Sequence, residues 1–370
     1  MKRTLSSSDP RNVAPIVQTA PGLAAPRAGA VPCPLSPELW SEYLGKHDAV
    51  TVIELIQQQD PAERVINLKN QNLDGQQVGR LAEVVAHAQC PPFALNLEGA
   101  TAATIREVFV CANRHKPLTK LNLGYFAVIR VVDSTPKRFS ITAEHLDLIA
   151  KMLGPASQLD ELVLDGQWLL PADVEDGCLS RPLLSNQRQQ SLDELLAAIG
   201  ASRSMKTLSL MGCDLFHEDL PIIGKKLFAQ EAPCALISLR LSNNFQEKLA
   251  LRSILSGALA TTEFLTLAAG ARCLESLDLG QFVLRDDTFD AGLLALLRAV
   301  KTLCVVLPCP DGEAGLPLQI RQQLGANRRA RTASVCEMAL CVRPYHLSSR
   351  LVEVLADKML TIEQEAVRSN

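Results

Sequence analysis

The chain has 370 residues, with 37 Lys or Arg against 40 Asp or Glu, a formal charge of −3, 47% hydrophobic and 4% aromatic residues. This is the composition of a folded protein, and the length exceeds one conventional compact core, so two domains or an elongated repeat array is expected. A slightly negative charge and scarce aromatics argue against a protein that coats nucleic acid by neutralising phosphates and stacking bases.

Residues 1–34 are rich in Ser, Pro and Ala, with Pro10, Pro15, Pro21, Pro26, Pro32 and Pro34 and a single acid, Asp9. They read as a disordered leader. The prolines deny them the amphipathic helix of a mitochondrial transit peptide. From 35 to 61, apolar residues at helical spacing (Leu39, Tyr43, Leu44, then Val52, Ile53, Ile56) predict two short helices that form an N-terminal cap.

Residues 62–331 repeat one unit: a short strand of the form L-x-x-L-x-L, a turn, and an amphipathic helix. The strand cores are Ile66-Asn67-Leu68, Leu95-Asn96-Leu97, Leu121-Asn122-Leu123, Leu162-Val163-Leu164, Leu208-Ser209-Leu210, Leu239-Arg240-Leu241, Leu277-Asp278-Leu279 and Leu303-Cys304-Val305. A base period of 26 to 31 residues is interrupted by insertions, the longest predicted over 166–190, with the following helix starting at the capping box Ser191-Leu-Asp-Glu194. Helical spacing after each strand, as in Val78, Leu81 and Val85, gives each helix one apolar face. One strand signature recurring with alternating helices predicts an α/β solenoid of about eight repeats rather than a doubly wound sheet. Residues 332–370, with Leu347, Leu351, Val354, Leu355 and Met359, read as a C-terminal helical cap and tail.

On these strand cores the chain resembles leucine-rich repeat proteins, of the ribonuclease-inhibitor-like subclass. The motif continues with Asn or Cys three residues after the last leucine. Only Cys213 and Asn244 fill that place here; Gln71, Ala100, Phe126, Gln167, Phe282 and Pro308 occupy it elsewhere. The resemblance implies a horseshoe with strands on its concave side and binding there.

Side chains between the leucines point away from the core. The central column is then Asn67, Asn96, Asn122, Val163, Ser209, Arg240, Asp278 and Cys304, flanked by Lys120, Tyr125, Asp160, Glu161, Asp165 and Lys206. Asn67, Asn96, Asn122, Tyr125, Asp160, Asp165, Lys206, Arg240 and Asp278 are the candidate contacts of a mixed-charge docking surface. Trp168, Leu169 and Leu170, in the long insertion, read either as an interface anchor or as a cover for the helix layer.

No nucleophile elbow, phosphate-binding loop or H-E-x-x-H occurs, so no enzyme is expected, an enzyme of unrecognised type being the alternative. The cysteines number eleven, an odd count in a long chain, and form no C-x-x-C pair. Reduced thiols are expected, with neither metal nor cofactor. No apolar run reaches the roughly 18 residues of a membrane span. The basic run Asn327-Arg-Arg-Ala-Arg331 reads as a solvated helix end, ahead of a nuclear signal or an anion contact.

Repeats behind a Ser/Pro-rich leader are similar to bacterial effectors delivered into host cells by type III secretion. That implies a protein partner and a location in the bacterial or host cytoplasm. Pro34-Leu-Ser-Pro-Glu-Leu-Trp40 resembles the opening of an F-box, which would make the chain an adaptor for a ubiquitin ligase; the latter half of that motif is missing.

Overall fold

The structure, a computed structural model, describes residues 35–115, 117–124, 141–154, 157–166, 186–213, 215, 217–230, 234–242, 244, 251–280, 287–307 and 315–341. Two helices come first, α1 (Pro37–Lys46) and α2 (Ala49–Gln58). Strands and helices then alternate: β1 (Val65–Asn67), α3 (Gly75–Ala86), β2 (Phe93–Asn96), α4 (Ala102–His115), β3 (Leu118–Asn122), α5 (Ala143–Met152), β4 (Glu161–Val163) and α6 (Asn186–Ala201). The series continues with β5 (Thr207–Ser209), a 3₁₀ turn at His217–Asp219, α7 (Leu220–Phe228), β6 (Ser238–Arg240), α8 (Leu251–Ala268), β7 (Ser276–Asp278), α9 (Asp287–Ala299), β8 (Val305–Leu307) and α10 (Leu318–Cys341).

All eight strands form one parallel sheet in sequence order. Parallel neighbours joined by right-handed crossovers place every helix on the same side. The fold is therefore the leucine-rich repeat solenoid that the strand pattern predicts. Ile66, Leu95, Leu121, Leu162, Leu208, Leu239, Leu277 and Val306 lie in register, each 0 or 1% exposed, and form one row of the core under the helices. Burying one such side chain stabilises by about 1.5–3 kcal/mol. A repeated row makes the units interdependent.

Local chemistry starts the first helices. Ser36 Oγ accepts from Leu39 N at 3.4 Å with Pro37 at the first helical position, and Asp48 Oδ1 accepts from Thr51 N at 2.8 Å. In α3, Asp74 and Gln77 form a capping box, and Gln77 Nε2 also donates to Ser41 O at 2.8 Å. One side chain thereby caps α3 and ties it to α1.

The two consensus Asn/Cys positions make the bonds expected of them. Asn244, 3% exposed, donates Nδ2 to Leu210 O at 2.6 Å and to Leu241 O at 2.8 Å, while its Oδ1 accepts from Cys213 N at 2.5 Å and Leu215 N at 3.3 Å. Cys213 Sγ in turn donates to Leu164 O at 3.2 Å. In these two units the side chain thus reaches back to the turn of the unit before it.

Three expectations need correction. The last strand core is shifted by three residues: Val306 pairs with Leu277, and Leu303 takes the place before the strand that Leu274 takes in β7. Leu303-Cys304-Val305 fits the apolar pattern equally well, but Cys304 N and Val305 N both donate to Glu275 O, at 2.9 and 3.0 Å. Leu307, not Cys304, therefore stands in register with Asp278. Second, α6 begins at Asn186, so Ser191 is a buried residue inside it and not its cap. The polar stretch 186–190 lacks the apolar spacing that would have marked it as helix.

Third, the basic run at the end of the repeats is docked. Asn327 is 2% exposed and its Nδ2 donates to Leu297 O, Val300 O and Leu303 O at 3.0, 3.3 and 3.0 Å. Arg328 Nε donates to Cys304 O at 2.8 Å, and Arg331 pairs with Glu275 at 2.6 Å. α10 runs unbroken through residues 331 and 332.

Replacing Asn244 by Ala leaves two carbonyls and two amides buried without this partner. Since each unsatisfied group costs about 1–3 kcal/mol, offset in part by relaxation, equilibrium denaturation is expected to show a loss of about 3 kcal/mol. A loss under about 1 kcal/mol would show that the turns close without this side chain.

Candidate functional site

The face of the sheet opposite the helices is covered by no described element. Strand alternation and register give it three rows. One row is Val65, Ala94, Lys120, Glu161, Thr207, Ser238, Ser276 and Val305; the next is Asn67, Asn96, Asn122, Val163, Ser209, Arg240, Asp278 and Leu307. The third, just past the strands, includes Lys69, Glu98, Asp165, Met211 and Ser242.

The asparagines of the middle row are occupied. Asn67 Oδ1 accepts from Lys69 N at 3.3 Å, Asn96 Oδ1 from Glu98 N at 3.0 Å, Asn122 Oδ1 from Gly124 N at 2.8 Å, and Asp278 Oδ1 from Gly280 N at 3.0 Å. Each side chain caps the amide two residues ahead and so turns the chain out of the sheet. Their acceptors serve the fold, and the side-chain Nδ2 groups of Asn67, Asn96 and Asn122 donate to no described residue.

At β5 the column residue is Ser209, too short for that turn, and its neighbour substitutes. Asp165 Oδ1 accepts from Met211 N at 2.9 Å and from Ser209 Oγ at 2.6 Å. Asp165 is only 7% exposed. Burial pushes its carboxyl above the ordinary range against the opposing pull of the Ser209 and Met211 bonds and the charge of Arg240, with Glu98 adding to the rise.

The next turn needs a left-handed residue four places after the core leucine or isoleucine. Asn70, Gly99, Gly166 and Gly212 occupy it with φ of 57, 80, 69 and 64°. At Gly99 a Cβ would come within 2.6 Å of Asn70 Oδ1. At the first two of these turns, Asn67 with Asn70 and Asn96 with Gly99 three residues later were a readable signal that the leucine pattern overshadowed.

The charges of this face are mostly internally matched. Lys69 pairs with Glu98 at 3.0 Å, Lys120 with Glu161 at 3.0 Å and Lys206 with Asp160 at 3.6 Å, so the acids at 160 and 161 do sit between the flanking lysines. Glu161 beside Lys120 raises that ammonium above its ordinary value. Such exposed pairs contribute about 0–1 kcal/mol each to stability. Their stronger effect is to neutralise one another.

Arg240 differs. It ends β6, is exposed, and makes no ion pair with a described residue. Asp278 stands beside it in register, yet both Asp278 oxygens are engaged, Oδ1 by Gly280 N and Oδ2 by Ser242 Oγ at 2.9 Å. The guanidinium donates to no described residue, and its charge acts on the nearby Asp165 carboxyl. Ser209 and Ser242, which arrange the two acids on either side of it, were not candidates from sequence.

Tyr125, Trp168, Leu169 and Leu170 lie outside the described residues. Trp40, the last residue of the F-box-like segment, is fully buried in the core. Among the described residues no group of His, Cys, Asp and Glu could hold a metal ion, and no helix is long and apolar enough to cross a membrane.

No protein family's sequence profile and no curated protein matches the chain. Among solved structures, the leucine-rich repeat-containing protein LegL7 from Legionella pneumophila aligns over 77% of this chain and 87% of its own, at 14% identity and a TM-score of 0.39. The solenoid assignment rests on the strand register and on the Cys213 and Asn244 bonds.

A carboxyl held up by burial favours folding most where it is protonated. Its contribution is present below the unfolded value and is lost as pH rises through the folded one. Asp165→Asn keeps an acceptor for Ser209 and Met211 without the charge. Its stability relative to the parent, from denaturation at a series of pH values, is expected to improve as pH rises above the ordinary carboxylate range. Asp165→Ala, which leaves both donors without this acceptor, is expected to lose about 1–3 kcal/mol. A pH-independent difference for Asp165→Asn would contradict the assignment.

Proposed function

We propose that the chain is a protein-binding scaffold whose partner docks across the open face of the sheet, with Arg240 as the anchor. The observation that carries this reading is the exposed Arg240 guanidinium, without an ion pair to a described residue, on a face where Lys69, Lys120 and Lys206 are each paired with a carboxylate. Arginine anchors are enriched among the residues that dominate binding energy. Asp160, Asp165, Lys206, Asp278 and the side-chain amide groups of Asn67, Asn96 and Asn122 supply the surrounding polar contacts. A rigid sheet that presents side chains from successive units offers them with little ordering cost.

Within this reading, 1–34 is an export leader, 35–61 closes the first repeat and the region after 331 closes the last. The leader's Ser/Pro-rich composition supports delivery of the scaffold into a host cell as a bacterial effector.

Docking can be mapped by placing a photo-crosslinking residue at position 163 on the open face, or at 110 on α4, where Val110 is 45% exposed, and exposing each protein to host-cell lysate. A specific adduct is expected from 163 and not from 110. Arg240→Glu is expected to weaken partner binding by about 1–3 kcal/mol without lowering the melting temperature. Adducts from 110 alone, unaffected by Arg240→Glu, would move the interface to the helices.

A further inference from the structure

The helix that ends the described chain carries a charge pattern that the fold only partly uses. Residues 315–334 contain four arginines, Arg321, Arg328, Arg329 and Arg331, and no acid, in a chain whose net charge is −3. Two of the four have structural work, through the Arg328 bond to Cys304 O and the Arg331 pair with Glu275. Arg321 and Arg329 are exposed and pair with no described residue.

Helical periodicity separates these two from the buried side. Ile320, Leu324 and Asn327 face the repeats at 1, 0 and 2% exposure, while Leu318, Arg321, Gly325 and Arg329 fall on the opposite face. Arg329 lies back along the helix, its Nη1 3.4 Å from where a Gly325 Cβ would be. Arg321 and Arg329 are eight residues apart, about two turns or 12 Å along the axis.

We propose that this exposed face of α10 is a docking surface for an acidic polypeptide segment, separate from the open face of the sheet. Guanidinium groups match carboxylates in planar, bidentate geometry. Two arginines about 12 Å apart along one helix suit carboxylates at i and i+4 of an extended segment, about 13 Å apart. Nucleic acid fits less well, because residues 315–334 contain no aromatic side chain to stack on a base. A membrane surface fits less well too, because Ile320 and Leu324 are already buried and Leu318, 60% exposed, is the one large apolar side chain shown to be exposed on this helix.

The test titrates the full chain into a fluorescein-labelled oligoglutamate peptide and reads fluorescence anisotropy at low and at physiological salt. Saturable binding that weakens with salt is expected, and Arg321→Glu/Arg329→Glu is expected to lower affinity at least about tenfold with an unchanged melting temperature. The milder Arg321→Gln/Arg329→Gln is expected to fall between that variant and the parent, and Arg240→Glu to bind like the parent. Unchanged affinity in both double variants would overturn the proposal. So would tighter binding to a single-stranded oligonucleotide or to phosphatidylserine vesicles that the same double variant abolishes. Because Arg240 takes no part, failure of the open-face reading would leave this result untouched.

Discussion

Strands of three to five residues cannot stand alone, and each must leave the sheet through a turn whose backbone lies close to the core. Satisfying those turn groups is the constraint on which the rest of the structure depends. The protein meets it with side chains from the same unit and from its neighbours. Asn67, Asn96, Asn122 and Asp278 cap their own turns, whereas Asp165 caps the turn after β5 and Asn244 closes the one around Cys213. Asn327 repeats the device at the last unit, binding three carbonyls around the end of α9. Stability is consequently a matter between adjacent units, as expected of a one-dimensional array.

The same constraint shapes the surface available to a partner. Side chains that point outward from the sheet are drawn into turns and ion pairs, so a row rich in polar residues contains few groups that are unoccupied. Ser242 and Gly280 engage the two oxygens of Asp278, and Arg240 beside it makes no ion pair with a described residue. Ser209 and Met211 hold Asp165 in a buried setting where its carboxyl is reluctant to ionise. A binding surface built this way has its specificity in a small number of uncommitted groups, with Arg240 foremost.

Much of the fold was legible because leucine spacing and helix periodicity are hydrophobic signals that recur. Seven of the eight strand cores lie where the spacing of their leucines puts them, and Cys213 and Asn244 carry the ladder bonds. The eighth was displaced because Leu303-Cys304-Val305 and the true strand Val305–Leu307 have equivalent apolar patterns, and only backbone bonding to Glu275 separates them. The start of α6 was missed for the opposite reason, since its first turn has no apolar signal. At the candidate site, the column residues were identifiable by alternation alone. Their occupancy was not, because Ser209 and Asp165, or Ser242 and Asp278, are 44 and 36 residues apart in sequence, and which partner a hydroxyl chooses depends on strand register.

The central claim is that the turns after β4, β5 and β6 are tied together by side chains shared between neighbouring units. Hydrogen exchange read by mass spectrometry on the parent and on Asn244→Ala tests it most directly. Faster exchange is expected in peptides covering 210–215 and 241–244, where Asn244 engages Cys213 N, Leu215 N, Leu210 O and Leu241 O, with β1 and β2 left as protected as in the parent. Uniform loss of protection across all eight strands, or none at 210–215, would contradict it.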